Sequence, residues 1–183
     1  NLQEKWPEHL LTKKMLLEAY TALNDWQEVL KLLRSIEKEK LYTHDEIEIK
    51  KHNAYVGLLK DAGISDDKNK LDNIWEEIPR KLKYHHHLIE VYVREKLKFK
   101  DISDSEVILK NAIKKKWDRK LIRLYGLVIG IDSDKQLATA ESWLNQYPDD
   151  PILLLSLGRI CVRKSLWSKA KTYLQKSLDI REN

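Results

Sequence analysis

Leu154-x2-Leu157-Gly158-x2-Cys161, followed by Trp167-x2-Ala170-x3-Leu174, constrains the fold of this chain more than any other stretch. Large apolar residues recur at three- and four-residue spacing on both sides of a short polar break, the pattern of two amphipathic helices laid against each other. Small residues belong where two helix backbones come close. Gly158 and Ala170 hold those places and are expected to pack against each other across the pair. The layout recurs near the start. Leu16-Leu17-x2-Tyr20 precedes Asn24-Asp25-Trp26-x2-Val29-x3-Leu33, with larger residues at the two crossing positions.

This is the spacing of tetratricopeptide helix pairs, which repeat about every 34 residues. Trp26 and Trp167 are 167 − 26 = 141 positions apart, and four periods would be about 136. The surplus is placed in Asp101-Ile102-Ser103-Asp104-Ser105, a polar, turn-like insertion. The expected fold is therefore all-α, a right-handed superhelix of about five tetratricopeptide-like helix pairs forming a single solenoid domain over residues 1–183. Only 5 Gly and 4 Pro interrupt 183 residues, which suits long runs of helix.

Along the chain the pairs run from about Trp6 to Lys40, from Thr43 to Pro79, from Tyr84 to Lys116, from Trp117 to Tyr147, and from Pro151 onward. In the first, Leu16, Leu17 and Tyr20 are expected inward on one helix, and Trp26, Val29, Leu30 and Leu33 on the next. Thr43 with Glu46 three residues later has capping-box spacing. Leu71, Ile74, Trp75 and Ile78 form an apolar stripe, and Pro79 then stops the helix. Asp150-Pro151 reads as a helix cap with proline at the first helical position.

The longest apolar run, Leu124 to Ile131, is eight residues, far short of the roughly 20 that cross a bilayer. Gly126 and Gly130 within it are read as sites of close helix packing. The net charge of +5 comes from interleaved acidic and basic residues, the pattern of solvated helix faces rather than of a nucleic-acid surface. A single cysteine excludes an internal disulfide.

Candidate chemistry is sparse. His85, His86 and His87 are consecutive, so on a helix they point about 100° apart and do not converge on one ion; they are read as polar surface. Cys161 falls at a packing position and is read as a small hydrophobe. The tryptophans fall mostly at positions between helices and are read as core. No glycine-rich dinucleotide fingerprint occurs. Neither a catalytic centre nor a metal site nor a cofactor is expected.

What remains is a surface. First helices of such pairs line the concave face. Placing the first repeat position at Leu10, Asp118 and Pro151 turns Lys14, Glu18, Arg119, Arg159 and Arg163 toward it. Such a basic groove suits an acidic peptide, a C-terminal carboxylate or a tetrapyrrole propionate; the alternative is that these residues are solvated helix ends.

Trp75-x3-Pro79-Arg80, then Trp117-Asp118-x2-Leu121-x3-Tyr125-Gly126, then Trp143-Leu144-x3-Pro148-x2-Pro151-x2-Leu154-x2-Leu157-Gly158-Arg159 together resemble the C-terminal tetratricopeptide region of the HemY family. These are inner-membrane proteins of Gram-negative bacteria associated with haem biosynthesis. The resemblance covers most of the chain, departing at Val29, at Leu33 and at the 101–105 insertion. It implies a non-catalytic scaffold for protein–protein interaction, with haem-pathway enzymes among its partners. It also implies an N-terminal membrane anchor outside this fragment, with this region facing the cytoplasm. The alternative it raises is a haem or porphyrin carrier or sensor, with His85, His86, His87, Tyr125 or Cys161 as iron ligands.

Overall fold

The computed structural model describes residues 7–99 and 104–182, which carry α-helices and short 3-10 turns and no strand. The chain divides into two compact units, Asn1–Lys83 and Tyr84–Asn183.

In the first unit, α1 (Pro7–Ala22), α2 (Trp26–Glu39), α3 (His44–Ile64) and α4 (Lys68–Glu77) each pack on the next, and the short α5 (Arg80–Lys83) follows Pro79. Leu17, Val29, Leu33, Ile36, Ile47, Leu59, Ala62 and Leu71 form its core. The capping box at Thr43 is present: the Thr43 amide donates to Glu46 Oε2 at 2.8 Å, and the Glu46 amide donates to Thr43 Oγ1 at 3.3 Å. The expected stripe on α4 is buried at Leu71, Ile74, Trp75 and Ile78. Leu16 departs from expectation. It is 39% exposed against 2% for Leu17, because neighbours on a helix point about 100° apart and α1 packs on α2 along the face that carries Leu17. Leu17 shares its face with Lys13, whose ammonium reaches across to Ser35 Oγ on α2 at 3.0 Å.

In the second unit, α6 (His86–Lys96) and α7 (Ser105–Lys115) pack together, and α8 (Arg119–Tyr125) packs on both. α9 (Ser133–Ser142) and α8 both pack on α10 (Pro151–Arg163), which pairs with α11 (Trp167–Glu182). Of the expected insertion, 101–103 lie outside the described residues; Asp104 precedes α7, and Ser105 opens it as a buried residue. Asp118, Asp132 and Asp150 cap α8, α9 and α10, each worth about 1 kcal/mol.

Three turns between successive helices are built alike. Asn24, Asp66 and Ser165 adopt left-handed backbone with φ of 58°, 53° and 57°. The next residue's amide then returns to a carbonyl five residues back: Asp25 to Tyr20 at 2.9 Å, Asp67 to Ala62 at 3.4 Å, Leu166 to Cys161 at 2.9 Å. This is the Schellman closure, which satisfies a helix's last carbonyls. Asn and Asp tolerate the left-handed region through local side-chain hydrogen bonding.

Close approaches follow the small residues, with changed partners. A methyl group added at Gly158 would lie 2.4 Å from Leu174 Cδ2, so the side chain over Gly158 is Leu174, one turn beyond the buried Ala170. At Gly126 it would lie 2.6 Å from Ser156 Cβ, where α8 crosses α10. Gly130 lies past the end of α8 in a non-helical segment, so of the two glycines only Gly126 serves the expected helix crossing. Trp167 is 64% exposed at the first position of α11, a turn before Ala170, and so is not part of the core.

Candidate functional site

α10 organises the basic residues of the second unit. At its N-terminus Asp150 is buried, and its Oδ1 accepts from the amides of Ile152 at 2.9 Å and Leu153 at 3.2 Å. Its Oδ2 accepts from Trp117 Nε1 at 3.3 Å and from Arg119 Nε at 2.9 Å. Burial alone would raise this carboxyl, but Arg119, the two helix amides and Trp117 outweigh it and hold the group below the ordinary aspartate value. Trp117 also stacks on Tyr147 with centroids 3.6 Å apart and meets the edge of Trp143 at 6.0 Å. Arg119 is therefore fixed through Nε. Its side chain is 65% exposed, and among the described residues no hydrogen bond engages its terminal Nη groups. That end of the guanidinium is open to a carboxylate.

Arg163 at the other end of α10 is arranged in the opposite sense. Its Nη1 donates to the Gly126 carbonyl at 2.7 Å and its Nη2 to the Val128 carbonyl at 3.1 Å. Burial, followed by the like charge of Arg159, pushes this guanidinium below its ordinary value. Arg159 and Arg163 thus lie together, one turn apart on α10, and Arg119 sits at that helix's far end. Lys14 and Glu18 are exposed on α1 in the first unit.

The candidate iron ligands are dispersed among structural roles. His85 precedes α6 as its cap residue and is exposed, as is His87. His86 Nδ1 lies 3.1 Å from Asp118 Oδ2. Burial would raise Asp118, but the His86 contact and the amides of Lys120 and Leu121 outweigh it and lower its pKa. Tyr125 is fully buried and donates to Glu106 Oε1 at 2.7 Å; burial and that carboxylate push its phenol far above the ordinary value. Burial likewise pushes the Cys161 thiol up. Among the described residues no group of three His, Cys, Asp or Glu side chains is placed to hold a metal ion.

A groove of about 390 Å³ in the first unit has Leu30, Leu58 and Ile74 among its lining, with Lys31, Arg34 and Lys70 set against Asp67 and Glu77. With both signs around it, it singles out no ligand charge.

Sequence reasoning did not find Gln136. It is buried in α9, where its amide donates to the carbonyls of Tyr125 at 3.0 Å and Val128 at 3.1 Å and its oxygen accepts from the Gly130 amide at 3.1 Å. A lone glutamine in the first turn of a helix carries no signal of such a role.

The fold and this site describe an all-helical chain of packed helix pairs in which Arg119 is anchored through Nε and faces outward. No protein-family model matches it. The chain is similar to Protein HemY of Escherichia coli strain K12, of Escherichia coli O157:H7 and of Shigella flexneri, in each case 19% identical over 180 residues, covering 98% of this chain and 45% of the relative. The chain thus spans less than half the length of these curated relatives. Among the described residues no helix is long and apolar enough to cross a membrane.

Proposed function

We propose that this chain is the tetratricopeptide-like part of a HemY-like protein of the bacterial inner membrane, a non-catalytic scaffold that gathers proteins of haem biosynthesis. In this reading about five helix pairs form a right-handed superhelix that faces the cytoplasm, and acidic segments of partner proteins dock on Arg119 with Arg159. The observation that carries it is Arg119, whose Nε is fixed by a buried carboxylate and whose terminal nitrogens face solvent. A planar guanidinium held in this way meets a carboxylate with less side-chain entropy to lose. The repeated left-handed turns at Asn24, Asp66 and Ser165 support the helix-pair repeat, and the likeness to Protein HemY supports the setting. The groups with moved pKa values at Asp118, Tyr125 and Asp150 are engaged in capping and packing, which suits a binding role better than chemistry.

The test is a pull-down from bacterial membranes with the intact anchored protein, wild type against Arg119→Gln/Arg159→Gln. Haem-pathway enzymes recovered with the wild type and lost with the double variant support the reading. Equal recovery would move the contact elsewhere. A hemin titration that gave a saturable, one-to-one Soret shift would favour the carrier alternative instead.

A further inference from the structure

The chain's surplus of positive charge sits in one place. Between positions 110 and 123, Lys110, Lys114, Lys115, Lys116, Arg119, Lys120 and Arg123 are accompanied by a single acid, Asp118, a balance of 7 − 1 = +6. The whole chain carries +5, so the remaining residues sum to 5 − 6 = −1. The stretch comprises the second half of α7, the connection and most of α8, and all seven basic residues are exposed. Elsewhere lysines are paired: Lys13 with Glu39, Lys51 with Glu37, Lys164 with Asp134 and Lys176 with Asp149. Here, among the described residues, no ion pair reaches Lys110, Lys114, Lys116 or Arg123. The neighbouring carboxylates are withdrawn. The side chains of Asp150 and Glu90 are 6% and 12% exposed, and Asp118 is held by His86 and by the amides of Lys120 and Leu121.

Folding does not account for the sign of all these charges. Lys114, Lys115 and Lys116 suit the C-terminus of α7, but Arg119 and Lys120 occupy the first turn of α8, where the helix dipole favours anions. We propose that this ridge of the second unit is a docking surface for a bilayer rich in anionic phospholipid. Five of the seven basic residues are lysines, compact charges that attract phosphate without the fixed two-point geometry of arginine. They are spread over a helix, a connection and a second helix, so they meet a field of headgroups rather than one anion. Anionic membranes hold basic clusters of this size. Val107, 48% exposed, precedes Lys110 and Lys114 by three and seven residues on one face of α7. Lysine stems lie along such apolar surface while the ammonium stays among the headgroups. Single-stranded nucleic acid fits less well, because bases stack on open rings. Trp117 is stacked on Tyr147, and Lys115 Nζ lies 3.4 Å from the centroid of the Tyr84 ring. The surface stands whether or not Arg119 binds an acidic partner, since Lys110, Lys114 and Lys116 carry it as well.

The probe is vesicles of equimolar phosphatidylglycerol and phosphatidylcholine, sedimented with the 183-residue chain; the control is phosphatidylcholine alone. The expected result is binding to the anionic vesicles only, weakening as salt is raised. Lys110→Gln/Lys114→Gln/Lys116→Gln leaves Arg119 and Asp150 untouched and should weaken binding at least about tenfold. Lys31→Gln/Lys135→Gln/Lys169→Gln removes three exposed lysines elsewhere and changes the net charge equally, so it should bind within about threefold of the unaltered chain. Circular dichroism should be the same for all three, because only exposed side chains change. No sedimentation at about 1 mM lipid, equal binding to neutral vesicles, or an equal loss in both triple variants would overturn the proposal. So would tighter binding, at the same salt, to a single-stranded oligonucleotide or a DNA duplex than to the anionic vesicles.

Discussion

The two ends of α10 use arginine in opposite ways. At the N-terminus a buried carboxylate holds Arg119 by Nε and leaves its fork in solvent; at the C-terminus the Arg163 fork turns inward onto two carbonyls. From the sequence, both are simply basic residues at positions facing one groove. The difference lies in what each end leaves unsatisfied. The α10 N-terminus has surplus donors, which draw in Asp150, and Asp150 has a second oxygen left for an arginine. The segment after α8 has surplus acceptors, the carbonyls of Gly126 and Val128, and these draw the whole guanidinium. Only the first arrangement leaves a charge available to a partner.

The largest expected effect comes from Asp150→Ala, which removes a cap and the acceptor for Trp117 and Arg119 together. Stability should fall by about 3 kcal/mol in denaturant unfolding, and a loss under about 1 kcal/mol would show the N-terminal end to be held by packing alone. The same carboxyl predicts a pH dependence. Its folded value lies below the unfolded one, so its contribution is complete above about pH 4 and is lost as pH falls through the folded value. Asp150→Asn should therefore flatten the acid limb of the stability profile relative to the wild type.

Next comes Arg163→Gln, expected to cost about 2 kcal/mol because two carbonyls lose a charged donor. Gln136 still reaches Val128, so the Gly126 carbonyl bears most of the loss. Amide exchange at Leu127 to Gly130 should accelerate in step. If it does not, the segment is held by Gln136 and by Val128 burial instead.

These contrasts also show where sequence reading stops. Thr43 with Glu46, and Asp150 with Pro151, were readable because a cap is decided within three or four residues. The apolar stripe of α4 was readable for the same reason, since helix period alone sets it. Leu16 against Leu17 was not, because a helix with apolar residues on several sides needs its neighbours to choose the buried one. Gly158 was correctly placed at a close approach, but its partner, Leu174, depends on where α11 slides along α10. Arg163 is illegible because its role is set by carbonyls 37 and 35 residues away, and Gln136 because its partners lie at the end of α8 and in the non-helical segment before α9, whose path no local pattern fixes.

Smaller effects sharpen the comparison. Ser165, just past the C-terminal end of α10, holds a φ of 57°. Ser165→Gly removes that strain against a larger entropy loss on folding and should stabilise by about 0.5 kcal/mol, read from the urea midpoint at constant m-value. A destabilisation would mean that the serine side chain supports the turn. The smallest effect on stability, within about 0.5 kcal/mol, is expected for Arg119→Gln, since the arginine is itself exposed and the Asp150 carboxylate keeps its bonds from two helix amides and Trp117.

Availability of Arg119 and structural use of Arg163 can be separated in one paired experiment: melting temperature and fluorescence-anisotropy binding of labelled hexaglutamate, measured on wild type, Arg119→Gln and Arg163→Gln. Arg119→Gln is predicted to melt within about 2 °C of wild type and to bind at least about fivefold more weakly, with wild-type affinity falling as salt is raised. Arg163→Gln is predicted to melt several degrees lower and, below its transition, to bind within about twofold of wild type. Undiminished binding by Arg119→Gln, or weakened binding by Arg163→Gln at an unchanged melting temperature, would contradict the account.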